Sequence, residues 1–203
     1  GIVVPVIFTL LFTVISLGVE RYLALRSAFG KMPLAKFTAQ VKAAVRKGDF
    51  AEAHKLCDKM QGSVANVVSA SLSTYEEMEK TTGIKKSQKV AKIQQAHEEA
   101  TQLEMPTLQM NLPIVATIVT LGTLTALFGT VVGMIRSFAA LAAGGGADSQ
   151  ALSTGISEAL VNTASGILTS WFAVVIYNFF TNKIDKLTYA LDEVGYTIAQ
   201  TYE

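Results

Sequence analysis

The side chains that could do chemistry in this 203-residue chain are few, and they sit on two apolar runs. Glu158 opens the second run, and Ala159 to Asn182 behind it contains no charged residue. A carboxylate placed centrally in a spanning helix costs about 2.5–3.5 kcal/mol on insertion scales, so such an acid is a functional hypothesis by default. A polar stripe continues from Glu158 through Asn162, Ser165 and Thr169 at helical spacing, flanked by Thr163 and Ser170. The preceding run carries a stripe of its own. On a helical wheel Thr117, Thr120, Thr123 and Thr130 fall within an arc of about 140°. Gly122, Ala126, Gly129 and Gly133 take the opposite side, where Gly129-x-x-x-Gly133 is a small-residue seam for close helix approach. Single hydroxyls in membranes often bond their own helix four residues back. Glu and Asn have no such recourse on a lipid face, so the stripe as a whole must face protein or water.

Depth follows if the two runs form an antiparallel hairpin about a flexible turn, Ala143 to Gln150, centred near Ala147. Arg136 lies eleven residues before that point and Glu158 eleven after; Thr130 lies seventeen before and Thr163 sixteen after. Arg136 and Glu158 then share an outer level, where they could form an ion pair. Thr130 and Thr163 share a second level about 8 Å deeper at the helical rise. Glu158 also has a plainer reading, as a first-turn acid favoured by the helix dipole or as the charge that balances Arg136.

The elements that must position these groups are helical and membrane-bound. The chain is 50% hydrophobic and 16% charged, against about 25% charged in soluble domains. Ile2 to Val19 is an apolar run of spanning length, closed by Glu20-Arg21-Tyr22, with Pro5 tolerated in its first turns and Arg21 and Tyr22 expected to anchor the interface. The chain begins Gly1-Ile2 without Met, so further residues are expected upstream; no small-x-small site ends this run, and a mature span rather than a cleaved signal is the expectation. The second span runs from Asn111-Leu112-Pro113 to about Ala142. The third runs from about Ser153 to Phe180 and is expected to end at Asn182-Lys183, before a further helix bearing Ile184, Leu187, Leu191, Val194 and Ile198.

The expected fold is therefore all-α, a polytopic membrane protein with three transmembrane helices extended into a cytoplasmic helical domain. The expected divisions are a first transmembrane helix (1–22), a cytoplasmic helical domain (23–110), a pore hairpin (111–182) and a C-terminal cytoplasmic helix (183–203). Within the polar block, Phe37, Val41, Ala44 and Val45 share a helix face, Gly48 ends that helix, and Asp49 with Glu52 forms a capping box for the next. Short antiparallel helices continue through Tyr75. Thr81-Thr82-Gly83 is a loop, and Lys85 to Met105 is a charged helix with no clear apolar stripe.

Sixteen of the seventeen Lys and Arg lie in the 20–105 block and the C-terminal tail, and none in the link between the second and third runs. By the positive-inside rule that link is outside, the N-terminus periplasmic and the C-terminus cytoplasmic. The basic residues are mixed with acids and lack aromatic interleaving, which argues against nucleic acid as a partner. Cys57 is the only cysteine, so no intrachain disulfide and no Cys metal cluster can form. His54 and His97 are distant in sequence and read as solvated helix surface rather than metal ligands. No nucleophile–base pair, phosphate loop or metal constellation is present, so neither an enzyme nor a cofactor is expected.

Two blocks bear a resemblance. Leu127 to Phe138, LFGTVVGMIRSF, and Gly155 to Gly166, GISEALVNTASG, resemble LLGTVxGIMxSF and GIxEALxxTAxG of the ExbB/TolQ/MotA family of proton-channel subunits. Val175-Ile176-Tyr177-Asn178 is similar to the family's hydrophobic-Tyr-Asn ending, and Lys47 to Ala53, Leu56-Cys57 and Glu20 to Tyr22 match more weakly. Three spans with the large domain after the first look like ExbB or TolQ rather than the four-span flagellar stator. The resemblance places the family's pore threonines on Thr130 and Thr163 and its glutamate on Glu158; the hairpin count and the polar stripe add Arg136 and Asn162 as supporting or pairing residues. It implies an inner-membrane ring, a pentamer, around two single-span ExbD/TolR-type partner helices, each with one membrane Asp. Proton flow through that Asp would energise TonB-dependent outer-membrane transport; a TolQ-like or gliding-type motor, or a structural scaffold, are the alternatives. The chain departs from the pattern where Gly122-Thr123 stands for Ala-Pro, and where Ser170-Trp171-Phe172-Ala173 stands for Ala-Ile-Pro-Ala.

Overall fold

The apolar periodicity and the few breakers translate into seven helices in the computed structural model, which describes residues 2–143 and 149–202. They are α1 (Val3–Ala28), α2 (Leu34–Arg46), α3 (Phe50–Met60), α4 (Ser63–Lys80), α5 (Lys86–Gln109), α6 (Leu112–Ala143) and α7 (Ser149–Thr201), with no strand among the described residues. Of these, α1, α6 and α7 are long and apolar enough to cross a membrane. The chain divides into two compact units, one of residues 1–21 and 111–180, the other of residues 22–110 and 181–203.

In the second of these units, short-range chemistry sets the helix ends. Gly48 adopts φ +73°, the left-handed conformation that glycine enters without a Cβ penalty. Its N–H donates to the Val45 carbonyl at 2.9 Å and the Asp49 N–H to the Ala44 carbonyl at 3.0 Å, the paired bonds of a Schellman stop. The Asp49 carboxylate then accepts from the Glu52 N–H at 3.0 Å and opens α3, as the capping-box spacing requires. Phe37, Val41, Ala44 and Val45 are all buried on α2. Ile184, Leu187, Leu191, Val194 and Ile198 are buried along the C-terminal part of α7. Each of the Phe, Val, Leu and Ile side chains among them contributes about 1.5–3 kcal/mol on burial. Phe50 packs tilted on Tyr75 with ring centroids 4.4 Å apart, Tyr202 meets Tyr75 edge-on at 4.8 Å, and the Tyr202 hydroxyl donates to the Met78 carbonyl at 3.0 Å.

Four expectations need correction. No break occurs at Asn182-Lys183: neither residue restricts φ or lacks an N–H, so the helical ladder of α7 runs on to Thr201. Helix α5 likewise passes Met105 and takes Pro106 into its last turn, ending at Gln109. That helix does carry a buried line, Ile93, His97 and Leu108, and His97 is therefore not solvated surface. It is 6% exposed, accepts or donates through Nδ1 to the Ser71 hydroxyl at 2.9 Å, and lies against Gly195, where an added Cβ would come within 2.5 Å of the ring. Burial holds this imidazole below its ordinary pKa, with the negative charges of Asp192 and Glu98 opposing. His54 is part-exposed, 3.5 Å from the Glu76 carboxylate. Cys57 is a buried thiol whose pKa burial, and then Asp58, push up to about 12.

The fourth correction lies in the first unit. Arg21 is 1% exposed rather than an interfacial anchor, while Tyr22 is half exposed. A buried guanidinium demands an anion, and Arg21 Nε donates to Glu20 at 2.7 Å. The same carboxylate accepts from Asn111 Nδ2 at 3.1 Å, and Asn111 sits at φ +66°, a conformation asparagine tolerates better than most residues. Val14, Val115, Ile118 and Ala173 form the apolar core that joins α1, α6 and α7.

Candidate functional site: the α6–α7 hydroxyl face

Small residues decide which faces of α6 and α7 meet. Gly122, Ala126, Gly129 and Gly133 are buried, as the seam predicts. A Cβ on Gly133 would lie 3.1 Å from the Ala159 side chain, and one on Gly129 would lie 2.8 Å from the Asn162 amide and 2.6 Å from Val3. Gly166 of α7 leans in the same way on Ala126 and on the Gly122 carbonyl. Without side chains at these points the backbones approach until hydroxyls at the edge of the seam can touch. Large apolar residues point away from the seam, among them Leu124, Leu127, Phe128, Val131, Leu160, Ile167 and Trp171.

Two hydroxyl pairs bridge the helices. Thr130 Oγ1 and Thr163 Oγ1 are 2.5 Å apart. Thr130 also reaches the Ala126 carbonyl at 3.0 Å and the Ala159 carbonyl at 3.4 Å, and Thr163 reaches the Ala159 carbonyl at 3.3 Å. The second pair is Thr123 Oγ1 and Ser170 Oγ, 2.9 Å apart. The equal-distance arithmetic that pairs Thr130 with Thr163 would also have found it, since Thr123 lies 24 residues before Ala147 and Ser170 lies 23 after. Ser170, like Thr163, flanks the polar stripe of α7 rather than lying on it.

The stripe itself divides. Asn162 is 2% exposed and Thr169 is fully buried, with the Thr169 hydroxyl donating to the Ser165 carbonyl at 2.9 Å. Asn162 packs against Gly129 in the seam and Thr169 is satisfied by its own helix, while the flanking residues Thr163 and Ser170 bond hydroxyls of α6. The Asn162 Oδ1 is buried with no hydrogen-bond partner among the described residues. Ser165 and Glu158 are part-exposed. Arg136 is exposed and makes no ion pair among the described residues, so its influence on Glu158 is that of a charge at a distance. Thr117 donates to the Pro113 carbonyl at 2.8 Å, the plain intrahelical bond, and Thr120 is exposed. The turn near Ala147 lies outside the described residues. No cluster of His, Cys, Asp or Glu that could hold a metal occurs among the described residues.

Chemically, the hairpin offers neutral hydroxyls, one carboxylate at part exposure and one guanidinium. Between Leu112 and Ile135, and between Ala159 and Asn182, it holds no acidic, basic or imidazole side chain. It can solvate a proton or a protonated group but has no acid of its own at the threonine level.

Comparison with known proteins gives the same direction. The chain is 37% identical over 87 residues to an ExbB-like biopolymer transport protein of Synechocystis, an alignment covering 42% of this chain and 41% of that protein. It is 29% identical over 124 residues to the Tol-Pal system protein TolQ of Pseudomonas aeruginosa, covering 61% and 54%. It is 38% identical over 80 residues to the biopolymer transport protein ExbB of Salmonella typhimurium, covering 39% and 33%. The matched stretches thus span between a third and about half of these relatives' length. The description of the MotA/TolQ/ExbB proton channel family matches residues 61–193, well over half of the sequence, and the chain belongs to that family.

Proposed function

We propose that α6 and α7 line the proton path of a membrane motor, in which this chain and a single-span ExbD-type partner use the proton motive force to energise TonB-dependent outer-membrane transport. The observation that carries this reading is the Thr130–Thr163 hydroxyl pair, at 2.5 Å, on a hairpin with no ionisable side chain at that level. Hydroxyls can hydrogen-bond a carboxylic acid and its proton without titrating themselves. The shuttling acid therefore belongs to a second protein, an Asp on a partner helix enclosed by a ring of five copies of this chain. Glu158 supplies negative potential at the path's outer mouth, Arg136 moderates it, and Asn162 supports the Thr163 backbone from the packed side. The N-terminus is periplasmic and the C-terminus cytoplasmic in the inner membrane of a bacterium.

A Tol-type role is the second reading, because the TolQ alignment covers 61% of the chain and the Salmonella ExbB alignment 39%. Complementation separates them: the chain, expressed with its partner, is expected to restore TonB-dependent siderophore uptake rather than outer-membrane integrity to cells lacking both systems. Thr163→Val and Glu158→Ala are expected to abolish that uptake while the complex still assembles. Normal uptake in both variants would refute the proton-path reading, and assembly loss without a specific transport defect would make the hairpin a scaffold.

A further inference from the structure

Thr123 and Ser170 form a hydroxyl pair that differs from Thr130 and Thr163 in one respect. The latter pair is tied to the Ala126 and Ala159 carbonyls, so its protons are committed inside the hairpin. Among the described residues, Thr123 and Ser170 bond only each other. Two hydroxyls bring two protons, and their mutual bond uses one. One O–H donor and the remaining lone pairs therefore point to whatever lies beside the hairpin. Thr123 is exposed and Ser170 part-exposed, so these atoms are reachable. Gly122 makes the contact possible, since a Cβ there would stand 2.6 Å from Ser170 Oγ.

The two pairs also share a face. Thr123 and Thr130 are seven positions apart on α6, and Thr163 and Ser170 are seven apart on α7. Seven residues return an α-helix to within about 20° of the same direction, about 10 Å further along at 1.5 Å per residue. An unsatisfied hydroxyl facing hydrocarbon carries a penalty, whereas one facing water or a polar partner carries none. Thr169, one position from Ser170, shows the alternative: it is buried and satisfied by its own helix.

We propose that Thr123 and Ser170 form a second hydroxyl station of the proton path, holding a water that relays protons from the Thr130–Thr163 level along α7 toward Phe180. Both residues stand in the two stretches where the sequence departs from the family pattern, so the station is a property of this chain. The inference rests on the proton-path reading above, and the test separates the two. Proton flux is measured in vesicles carrying the assembled complex of full-length chains. Thr123→Val with Ser170→Ala is expected to lower flux about tenfold at equal complex levels, and Thr169→Ala to leave it within twofold. Thr123→Ser, which keeps the hydroxyl, is expected to conduct normally. Wild-type flux in the double variant beside a blocked Thr163→Val overturns the second station and leaves the proton path standing. Wild-type flux in Thr163→Val overturns the proton path itself. Should the double variant fail to assemble, the single Ser170→Ala variant decides, and a flux equal to wild type sinks the station.

Discussion

The Nδ1 of His97 and the hydroxyl of Ser71 are 2.9 Å apart at the α4–α5 contact, and the other ring nitrogen, Nε2, is buried without a hydrogen-bond partner among the described residues. Only a neutral ring suits this place, because protonation would bury a charge whose second N–H has no acceptor. Asp192 and Glu98 reduce that penalty without removing it, and burial keeps the pKa below its ordinary value of 6.5. The unfolded chain then binds the His97 proton at a higher pH than the folded one, so stability rises with pH. The contribution is complete above pH 6.5 and is lost as pH falls from there toward the depressed folded value. Melting followed by circular dichroism at pH 7.5 and 5.5 should show a lower Tm at 5.5, and His97→Gln should shrink that difference. An equal pH response in wild type and variant would show that His97 is not its source.

Gly48 isolates the conformational part of a helix stop. An added Cβ meets nothing within 4 Å, yet φ is +73°. Gly48→Ala should therefore destabilise by about 1–2 kcal/mol, through the left-handed backbone alone. Asp49→Ala removes the adjacent cap and should cost about 1 kcal/mol. Chemical denaturation of the detergent-solubilised protein measures both. A Gly48→Ala protein as stable as wild type would contradict the assigned φ.

The Glu20–Arg21 pair should respond differently to each partner's removal. Glu20→Ala leaves the buried Arg21 guanidinium without its adjacent carboxylate and frees Asn111 Nδ2 from its acceptor. A loss on the order of 2–3 kcal/mol is expected, below the 3–5 of a fully buried pair because Glu20 is 41% exposed. Arg21→Met removes the buried charge itself and should cost less. If Arg21→Met proves the more damaging change in thermal melts, the buried-charge account fails.

How much of this was legible beforehand depends on the range of the interaction. Gly48, Asp49 and Glu52 act within four residues, and their stop and cap follow from residue type alone. The Thr130–Thr163 contact is long-range, but a hairpin makes depth a matter of counting, so distance from Ala147 located it. His97 and Arg21 defeated the same reasoning. His97 is polar in a polar stretch and is turned inward by Gly195 and Ser71, which are distant in sequence, while Arg21 closes an apolar run, where residue type alone suggests an exposed interfacial head rather than a buried one. The α7 boundary was misread because a change of composition at Asn182-Lys183 is not a change of backbone preference. The stripe from Glu158 through Thr169 had the right period, yet a period does not say which edge of a face meets the neighbour.

The seam between α6 and α7 also sets the Thr130–Thr163 distance. Gly129 faces Asn162, whose amide lies 2.8 Å from the position of an added Cβ, and Val3 crowds it from α1 at 2.6 Å. Asn162 is 2% exposed and has little room to retreat, so Gly129→Ala must push α6 from α7 or force Asn162 off its rotamer. Overpacking of this kind costs about 1–3 kcal/mol. The effect should reach Thr130, the next residue, because a few tenths of an ångström of separation lengthens a 2.5 Å hydroxyl contact first. Gly129→Ala is therefore expected to lower proton flux more steeply than its modest loss of thermal stability suggests. Adding Asn162→Ala, which removes the obstructing amide, should recover stability and part of the flux. A double variant no better than Gly129→Ala in either measurement would show that the obstruction lies with Val3 and not with Asn162.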